Sequence, residues 1–301
     1  MATTVRDTIK EITREHLVSG RRCYGQCLTA VGWVGGTLPK LYEKDGMTEL
    51  SMADVAGGGI VAGAALAGER PIYVVRYQGF QWYNSPIIAN YAMKSKEIWQ
   101  RPCPLIVRSI AMEGGIGPVA GSSHHSIYQR MPGVKVVSPM TPAEYRMVYD
   151  EFMKDDEVYY ISEHRKSYDN TEEFFDVVEP EADITLFPIS ITRFAAEEAR
   201  KALAEEGYKV NICHILWIKP FLIRDEWRHA IKNSKFGAIV LDDDYEEGAA
   251  SSIAHRLMLN SGNSVHTLAL RPRTAGFHPS VDNLPPSKRE IMTKVKEICN
   301  V

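Results

Sequence analysis

Short apolar runs that alternate with helix-like stretches limit the folds open to this sequence more than any other feature. In its first half, the strand-like runs lie at 71–77, 104–110, 134–139 and 158–163, and the helix-like stretches lie at 54–68, 84–99 and 142–154. Strands that are buried on both faces appear as continuous apolar runs, and their alternation with helices is typical of a parallel sheet. The sequence therefore predicts an α/β fold.

A polar and charged stretch, 164–182, interrupts this alternation. Strand-like runs then resume at 183–190, 208–216, 237–244 and 265–270, with helix-like stretches at 195–206, 248–259 and 284–299. Polar, proline-containing stretches of this kind commonly link domains. We predict two domains, 1–163 and 183–301, joined by a linker at 164–182. Each should contain a mostly parallel sheet flanked by helices.

Charge and composition exclude several classes of protein. The 301 residues carry a net charge of −3, which gives no general attraction to nucleic acid or to an anionic membrane. No apolar run approaches the roughly 18 residues needed to span a bilayer. The five cysteines are scattered without a CxxC pair, so neither a disulfide framework nor a zinc site is expected. These features predict a cytoplasmic protein, since the N-terminal stretch reads as an amphipathic helix without a signal-peptide core.

The stretch from Asp54 to Lys94 is the strongest candidate for a binding site. One carboxylate, Asp54, is followed by a run rich in glycine and alanine, then by the strand-like run and by Phe80, Trp82 and Tyr83. A single acid beside closely packed backbone and aromatic rings suits a flat heteroaromatic cofactor.

The same stretch resembles a known family. Its pattern E-x-G-I-x-G-x-A-x-G-x-A-x-x-G-x-R-P, found in β subunits of the E1 component of 2-oxoacid dehydrogenases, aligns without gaps to Asp54–Pro71, with Asp54 in place of the glutamate. These β subunits belong to the transketolase-like thiamine diphosphate enzymes, whose pyrimidine-binding domain precedes a transketolase C-terminal domain. The likeness extends from about residue 5 to 299 and is also carried by 132–144, 215–221, 242–254 and 277–287.

The resemblance implies specific roles. In the family, the acid that aligns with Asp54 hydrogen-bonds the cofactor's aminopyrimidine and activates the cofactor. Phe80 holds the position of the ring that stacks on it, and Met52 and Arg76 fall where the family lines the pocket. His124 and His125 lie near the segment that handles substrate, and we count them with Asp54 as candidate catalytic residues.

A missing motif implies a partner. The family binds the diphosphate and Mg²⁺ through a G-D-G motif, which this sequence lacks. The resemblance therefore implies an α-type subunit that carries those ligands, in an α₂β₂ assembly, and no metal ligands in this chain. A lipoyl-bearing acyltransferase is a possible further partner, and a small 2-oxo compound is the implied substrate.

Four departures from the family pattern bear on activity. Asp54 is one methylene shorter than glutamate, and the family's early G-E-D-V reads Gly25-Gln26-Cys27-Leu28 here. Arg76 replaces a neutral residue and is placed to pair with Asp54. The family's H-S-Q segment is displaced: Ala120 aligns with its histidine, and the alignment of 112–131 stays open.

Other interpretations of the same residues are structural. Asp54 suits a helix N-cap, and the Gly57–Gly59 run suits close packing between helices. Trp82 and Tyr83 suit either a core or a subunit interface. We expect the Gly/Ser-rich stretch with His124 and His125 to be incompletely buried, and Asp242–Asp244 to be a solvated or capping cluster rather than a metal site.

Three functions follow from these interpretations. The first is a β-type subunit of a heteromeric thiamine diphosphate enzyme that decarboxylates a 2-oxo acid. The second is a subunit of a two-chain transketolase or carboligase that transfers an acyl or ketol unit. The third is a non-catalytic structural or regulatory partner that keeps the fold.

Overall fold

The chain folds into two compact units in a computed structural model that describes residues 2–112, 120–274 and 283–300. The first unit comprises 2–112 and Ile127–Glu173, and the second comprises 120–126 and Phe174 onward. Each unit has a parallel sheet with helices, so the predicted α/β class is confirmed. The predicted limits of the domains and the linker stay predictions.

The first unit is built on a parallel sheet. Its strands are β1 (Cys23–Gly25), β2 (Met47–Glu49), β3 (Ile72–Val75), β4 (Ile106–Ala111), β5 (Val134–Val137) and β6 (Val158–His164). They lie side by side in the order β2-β1-β3-β4-β6-β5, and each neighbouring pair is parallel. Strands β3, β4 and β6 are buried throughout, which explains their continuous apolar runs.

Helices cover this sheet. They are α1 (Val5–Val18), α2 (Ala30–Gly36), α3 (Asp54–Leu66), α4 (Gln81–Ile87), α5 (Met93–Trp99) and α7 (Pro142–Phe152). The short helix α6 (His125–Gln129) begins in the residues of the second unit and ends in those of the first. Helix α7 begins as predicted, with the Thr141 hydroxyl accepting a hydrogen bond from the Glu144 N–H. Helix α2 departs from ordinary geometry, since φ is positive from Val31 to Gly35. Short 3₁₀ turns lie at Glu43–Asp45, Gln78–Phe80 and Arg165–Ser167.

The predicted helix at 84–99 is confirmed as helical, but it is not one regular α-helix. The chain forms α4, then a π-helical segment at Ile88–Ala92, then α5. Pro86 lies inside α4, and proline removes one backbone donor from the helical ladder. A π segment, in which the backbone hydrogen bonds span five residues instead of four, is a common irregularity inside α-helices.

The second unit repeats the architecture on a smaller scale. Its strands are β7 (Ile184–Pro188), β8 (Val210–Ile212), β9 (Trp217–Lys219), β10 (Ala238–Tyr245) and β11 (Val265–Leu270), of which four form a parallel sheet in the order β11-β10-β7-β8. Its helices are α8 (Thr192–Glu205), α9 (Asp225–Asn233), α10 (Ala249–Ser261) and α11 (Lys288–Cys299). The core packs Ile184, Leu186 and Ile239 of the sheet against Leu203 of α8 and Ile291 of α11. None of the helices in the described part of the chain has the length and hydropathy to cross a membrane.

Candidate functional site

A cavity of about 120 Å³ lies in the first unit where two neighbouring strands end. Strand β1 ends at Gly25 and β3 ends at Val75, and the two are paired. Its lining comprises Gln26, Cys27, Met52, Asp54, Tyr73, Val74, Val75, Arg76, Tyr77, Phe80 and Asn84. The four predicted cofactor-binding residues, Met52, Asp54, Arg76 and Phe80, therefore lie together. Parallel sheets usually bind ligands at the carboxyl ends of their strands.

Asp54 does not cap a helix, so the N-cap interpretation is wrong. It is the first residue of α3, the capping position is Ala53, and no side chain caps this end. Its half-buried carboxylate lies in the first turn, where the helix dipole stabilises negative charge. The carboxylate is thus available for contacts within the cavity.

Two amide groups bind this carboxylate. Gln26 Nε2 donates to Asp54 Oδ1 at 3.2 Å, and Asn84 Nδ2 donates to the same oxygen at 3.3 Å. The expected ion pair between Arg76 and Asp54 is absent from the described residues. The guanidinium of Arg76 lies instead 5.7 Å from the centroid of the Tyr77 ring, and cation–π attraction acts over such a distance.

Sequence reasoning missed Tyr73 and Asn84. Both are about 1% exposed, and the Tyr73 hydroxyl donates to Asn84 Oδ1. Burial, together with the neighbouring charge of Asp54, raises the pKa of Tyr73, so its hydroxyl keeps its proton. No sequence signal marked either residue, because the partner of each lies far away along the chain: Tyr73 contacts Asn84, and Asn84 contacts Asp54.

The apolar walls of the cavity differ in exposure. Met52 is 77% exposed at its rim, whereas Phe80 is half-buried with its ring centroid 5.8 Å from that of Tyr77. A flat ring that enters the cavity would meet Phe80 on one side, and burial of the apolar surface would stabilise the contact.

An adjoining cavity shares Arg76 and Tyr77 with the first. Its described lining also includes Met112, Arg165 and Tyr168, so two guanidinium groups and no carboxylate face it. Neither arginine makes an ion pair within the described part of the chain. Two guanidinium groups that line one cavity, and that have no ion pair among the described residues, attract an anion.

His125 is fully buried in the second unit. Its Nε2 lies 3.1 Å from Asp242 Oδ2 and 3.9 Å from Asp244 Oδ2. Burial alone would lower the pKa of His125, but Asp242 and the other carboxylates outweigh burial and raise it to about 9. The expectation of incomplete burial therefore holds for His124 and Ser126, which are partly exposed, but it is wrong for His125 and for Ala120, Ser122 and Ser123.

His124 takes the opposite charge state. Its ring stacks on Tyr245 with centroids 6.1 Å apart. Burial lowers the pKa of His124, and the neighbouring charge of His125 lowers it further, although Asp244 opposes both. The adjacent histidines thus separate into one neutral and one charged ring.

Asp242, Asp243 and Asp244 are all buried, so the solvated interpretation is wrong. Asp244 Oδ2 accepts from the Ser126 N–H at 2.9 Å, in the first turn of α6, which agrees with a capping role. The Ser123 hydroxyl donates to Asp243 at 2.6 Å. Burial and the charge of Asp242 raise the pKa of Asp243 to about 7.

Ligand atoms of His125, Asp242 and Asp243 lie within 4.8 Å of one another, a spacing that also suits a metal ion. The absence of metal ligands from this chain stays a prediction. Of the motif at 277–287, positions 277–282 lie outside the described residues.

Trp82 and Tyr83 do not belong to the core. They are 60% and 56% exposed on α4, and Tyr91 and Trp99 nearby are also at least half exposed. Large exposed aromatic side chains commonly mark protein interfaces. The interface interpretation is the one that this exposure favours.

The chain is similar in sequence to a known protein family and to several known proteins. Residues 31–171 match the family described as the transketolase pyrimidine-binding domain. The chain is 28% identical over 213 residues to the β subunit of the pyruvate dehydrogenase E1 component from Chaetosphaeridium globosum, a match that covers 63% of this chain and 64% of that protein. It therefore spans slightly less than two thirds of that relative.

Two further similarities cover more of the chain. It is 25% identical to the β subunit of 2-oxoisovalerate dehydrogenase from Bacillus subtilis (strain 168), over 82% of this chain and 81% of that protein. Among solved structures, it resembles one described as a split gene transketolase in an inactive β4 tetramer. The TM-score is 0.75 at 14% identity, over 100% of this chain and 99% of the other. That structural likeness identifies the fold.

Proposed function

We propose that this chain, which contains a match to the transketolase pyrimidine-binding domain and resembles the E1 β subunits, is a β-type subunit of a heteromeric thiamine diphosphate enzyme acting next to a 2-oxo group. The simplest such reaction is decarboxylation of a 2-oxo acid. The named relatives support this class of reaction, and the substrate itself stays a prediction.

One observation carries this function. The carboxylate of Asp54 lines the cavity with one oxygen held by two amides, and its Oδ2 accepts no hydrogen bond from the described residues. Such an oxygen is able to accept a hydrogen bond from a ring nitrogen of a ligand. Phe80 lines the same cavity, which adds a flat apolar contact.

These residues suit the pyrimidine end of thiamine diphosphate. When bound, this cofactor supplies an acidic carbon that adds to 2-oxo groups and an electron sink for the bond that breaks. Asp54 would hold and orient the aminopyrimidine ring, Phe80 would stack on it, and Met52 and Arg76 would cover its edges. Mg²⁺ and the diphosphate would depend on the α-type partner, since this sequence lacks the G-D-G motif.

A second function has its own support. The adjoining cavity with Arg76 and Arg165 suits a substrate whose anionic group persists through the reaction, as in transfer of a ketol unit by a transketolase or carboligase. Tight binding of a carboxylate that leaves as CO₂ would stabilise the ground state and slow the reaction. Contact of His124 and His125 with substrate, and docking of a lipoyl-bearing acyltransferase, stay predictions.

The test begins with the complex. The chain is co-purified with its α-type partner, and binding of thiamine diphosphate with Mg²⁺ is measured by calorimetry. We expect binding by the complex and a fall in turnover of at least ~100-fold in Asp54→Ala, a typical loss for a group that handles protons. Assembly with the partner should be unchanged.

The matched control is Asp225→Ala, because Asp225 also opens a helix, α9, and its side chain is 79% exposed. It should keep full turnover. A complex that binds no cofactor would favour the non-catalytic alternative, and full turnover in Asp54→Ala would refute the role of this acid.

A further inference from the structure

Asn84 uses every polar atom of its buried side chain. Its Nδ2 donates to Asp54 Oδ1 at 3.3 Å and to the Phe80 carbonyl oxygen at 3.2 Å, while its Oδ1 accepts from the Tyr73 hydroxyl. Because Asp54 Oδ1 and the Phe80 carbonyl oxygen are both acceptors, the NH₂ group of the Asn84 amide must face them. This requirement sets the orientation of the amide. The hydroxyl of Tyr73 then satisfies the oxygen that faces away from Asp54.

Two glycines of α3 allow this arrangement. A Cβ at Gly57 would lie 2.9 Å from the Tyr73 hydroxyl oxygen, and a Cβ at Gly58 would lie 2.9 Å from the backbone oxygen of Asn84. Both distances are shorter than real Cβ atoms tolerate. The glycine run therefore lets Tyr73 and Asn84 approach the first turn of the helix that Asp54 begins.

Gln26, the residue that follows β1, completes the set. It is half-buried, it donates to the same oxygen of Asp54, and it replaces the acid of the family's G-E-D-V pattern. A glutamate here would bring a second carboxylate next to Asp54, and like charges at this distance oppose each other's ionisation. The uncharged amide instead donates a hydrogen bond to Asp54 without adding a like charge.

We infer that Tyr73, Asn84 and Gln26 are positioning residues that hold Asp54 by Oδ1 and present Oδ2 to the cofactor's pyrimidine ring, an inference that rests on the proposed function. Aspartate has a stem one methylene shorter than glutamate, and a misplacement of about 1 Å can cost on the order of 100-fold in rate. Two donors from separate elements, Gln26 just after β1 and Asn84 on α4, restrict the rotation of the shorter side chain and so reduce this cost.

Two variants test the inference, with a matched control. Tyr73→Phe removes only the hydroxyl that fixes Asn84, and Gln26→Glu restores a charged neighbour at a half-buried site. Tyr145→Phe is the control, because the Tyr145 side chain is also fully buried and its hydroxyl has no hydrogen-bond partner in the described part of the chain. All three replacements preserve side-chain volume closely.

Two measurements separate the inference from the function on which it rests. In the full chain without cofactor, NMR should show that the side-chain amide protons of Asn84 exchange with solvent faster in both variants than in the wild type. Tyr73→Phe removes the hydroxyl that fixes this amide, and Gln26→Glu repels the carboxylate that accepts from it. In the complex with the α-type partner, calorimetry should show affinity for thiamine diphosphate reduced about tenfold in both variants.

The outcomes are distinct. Faster exchange together with reduced affinity, and no change in Tyr145→Phe, support the inference. Unchanged exchange in both variants overturns it even when the wild-type complex binds the cofactor. Faster exchange in the isolated variants, together with a wild-type complex that binds no cofactor, supports the hydrogen-bonded set around Asp54 and refutes the proposed function alone.

Discussion

Gly57 and Gly63 both lie in α3, but their surroundings differ. A Cβ at Gly57 would meet the Tyr73 hydroxyl at 2.9 Å, whereas a Cβ at Gly63 would have no heavy atom within 4 Å. We therefore expect Gly57→Ala to lower the free energy of unfolding by about 1–3 kcal/mol through overpacking. Gly63→Ala should raise it by roughly 0.5–1 kcal/mol, because glycine is unfavourable inside a helix.

Urea unfolding of the two alanine variants measures this difference. Gly57→Ala should also disturb cofactor binding by the complex, since the displaced hydroxyl of Tyr73 no longer fixes Asn84. Equal effects of the two substitutions on stability would mean that Tyr73 moves aside without cost. The close contact between Gly57 and the Tyr73 hydroxyl would then not be needed for stability.

At the scale of elements, strand β10 holds the segment 120–126 through buried charges. His125 pairs with Asp242, Ser123 binds Asp243, and the Ser126 N–H binds Asp244. The raised pKa of His125, about 9, means that its contribution to stability is complete below about pH 6.5 and is lost as the pH rises through 9. Asp243, with its pKa raised to about 7, acts in the same direction between about pH 4 and pH 7.

We therefore expect the stability of the second unit to fall as the pH rises from 6 to 10. Replacement of His125 by glutamine should remove most of this pH dependence. For the shift in the pKa of His125, the fall in the free energy of unfolding is on the order of 3 kcal/mol. Urea unfolding at several pH values provides the measurement. His124→Gln should retain the slope, because burial lowers the pKa of His124 and keeps its ring neutral in this range. A wild-type stability that rises with pH would contradict the charge assignment.

The elements also show which features the sequence could predict. Strands such as β4 and β6 were predictable because continuous burial produces continuous apolar runs. The family resemblance predicted Met52, Asp54, Arg76 and Phe80 as cofactor-binding residues, and the four line one cavity. The burial of Ser123 and His125 was not predictable, because a polar side chain is buried only when its partners, here on β10, satisfy it.

The partners of Asp54 were missed for a similar reason. Asn84 and Tyr73 reach the acid through folding, and no local pattern records a hydrogen bond across 30 positions. The π segment between α4 and α5 was also missed, since a periodic apolar pattern does not distinguish a helix from a helix with one shifted turn.

At the scale of the whole molecule, the first unit exposes a set of aromatic side chains on consecutive helical segments. This aromatic surface consists of Trp82 and Tyr83 on α4, Tyr91 on the π segment and Trp99 on α5. The rings of Tyr91 and Trp99 stack with centroids 6.4 Å apart. Aromatic residues are enriched where proteins associate, so a partner chain that covers this surface would gain stability.

We predict that the isolated chain self-associates through this aromatic surface. A Trp82→Lys and Trp99→Lys double variant should lower the mass measured by light scattering to that of a monomer, because a buried lysine charge opposes association. Phe175→Lys and Leu222→Lys form the control, since these residues are 74% and 71% exposed on the second unit. The control should keep the wild-type mass. An unchanged mass in the tryptophan variant, or a wild-type chain that is monomeric at high concentration, would contradict self-association through this surface. The proposed α-type subunit would then be its occupant, and co-purification of the variant with that subunit should fail.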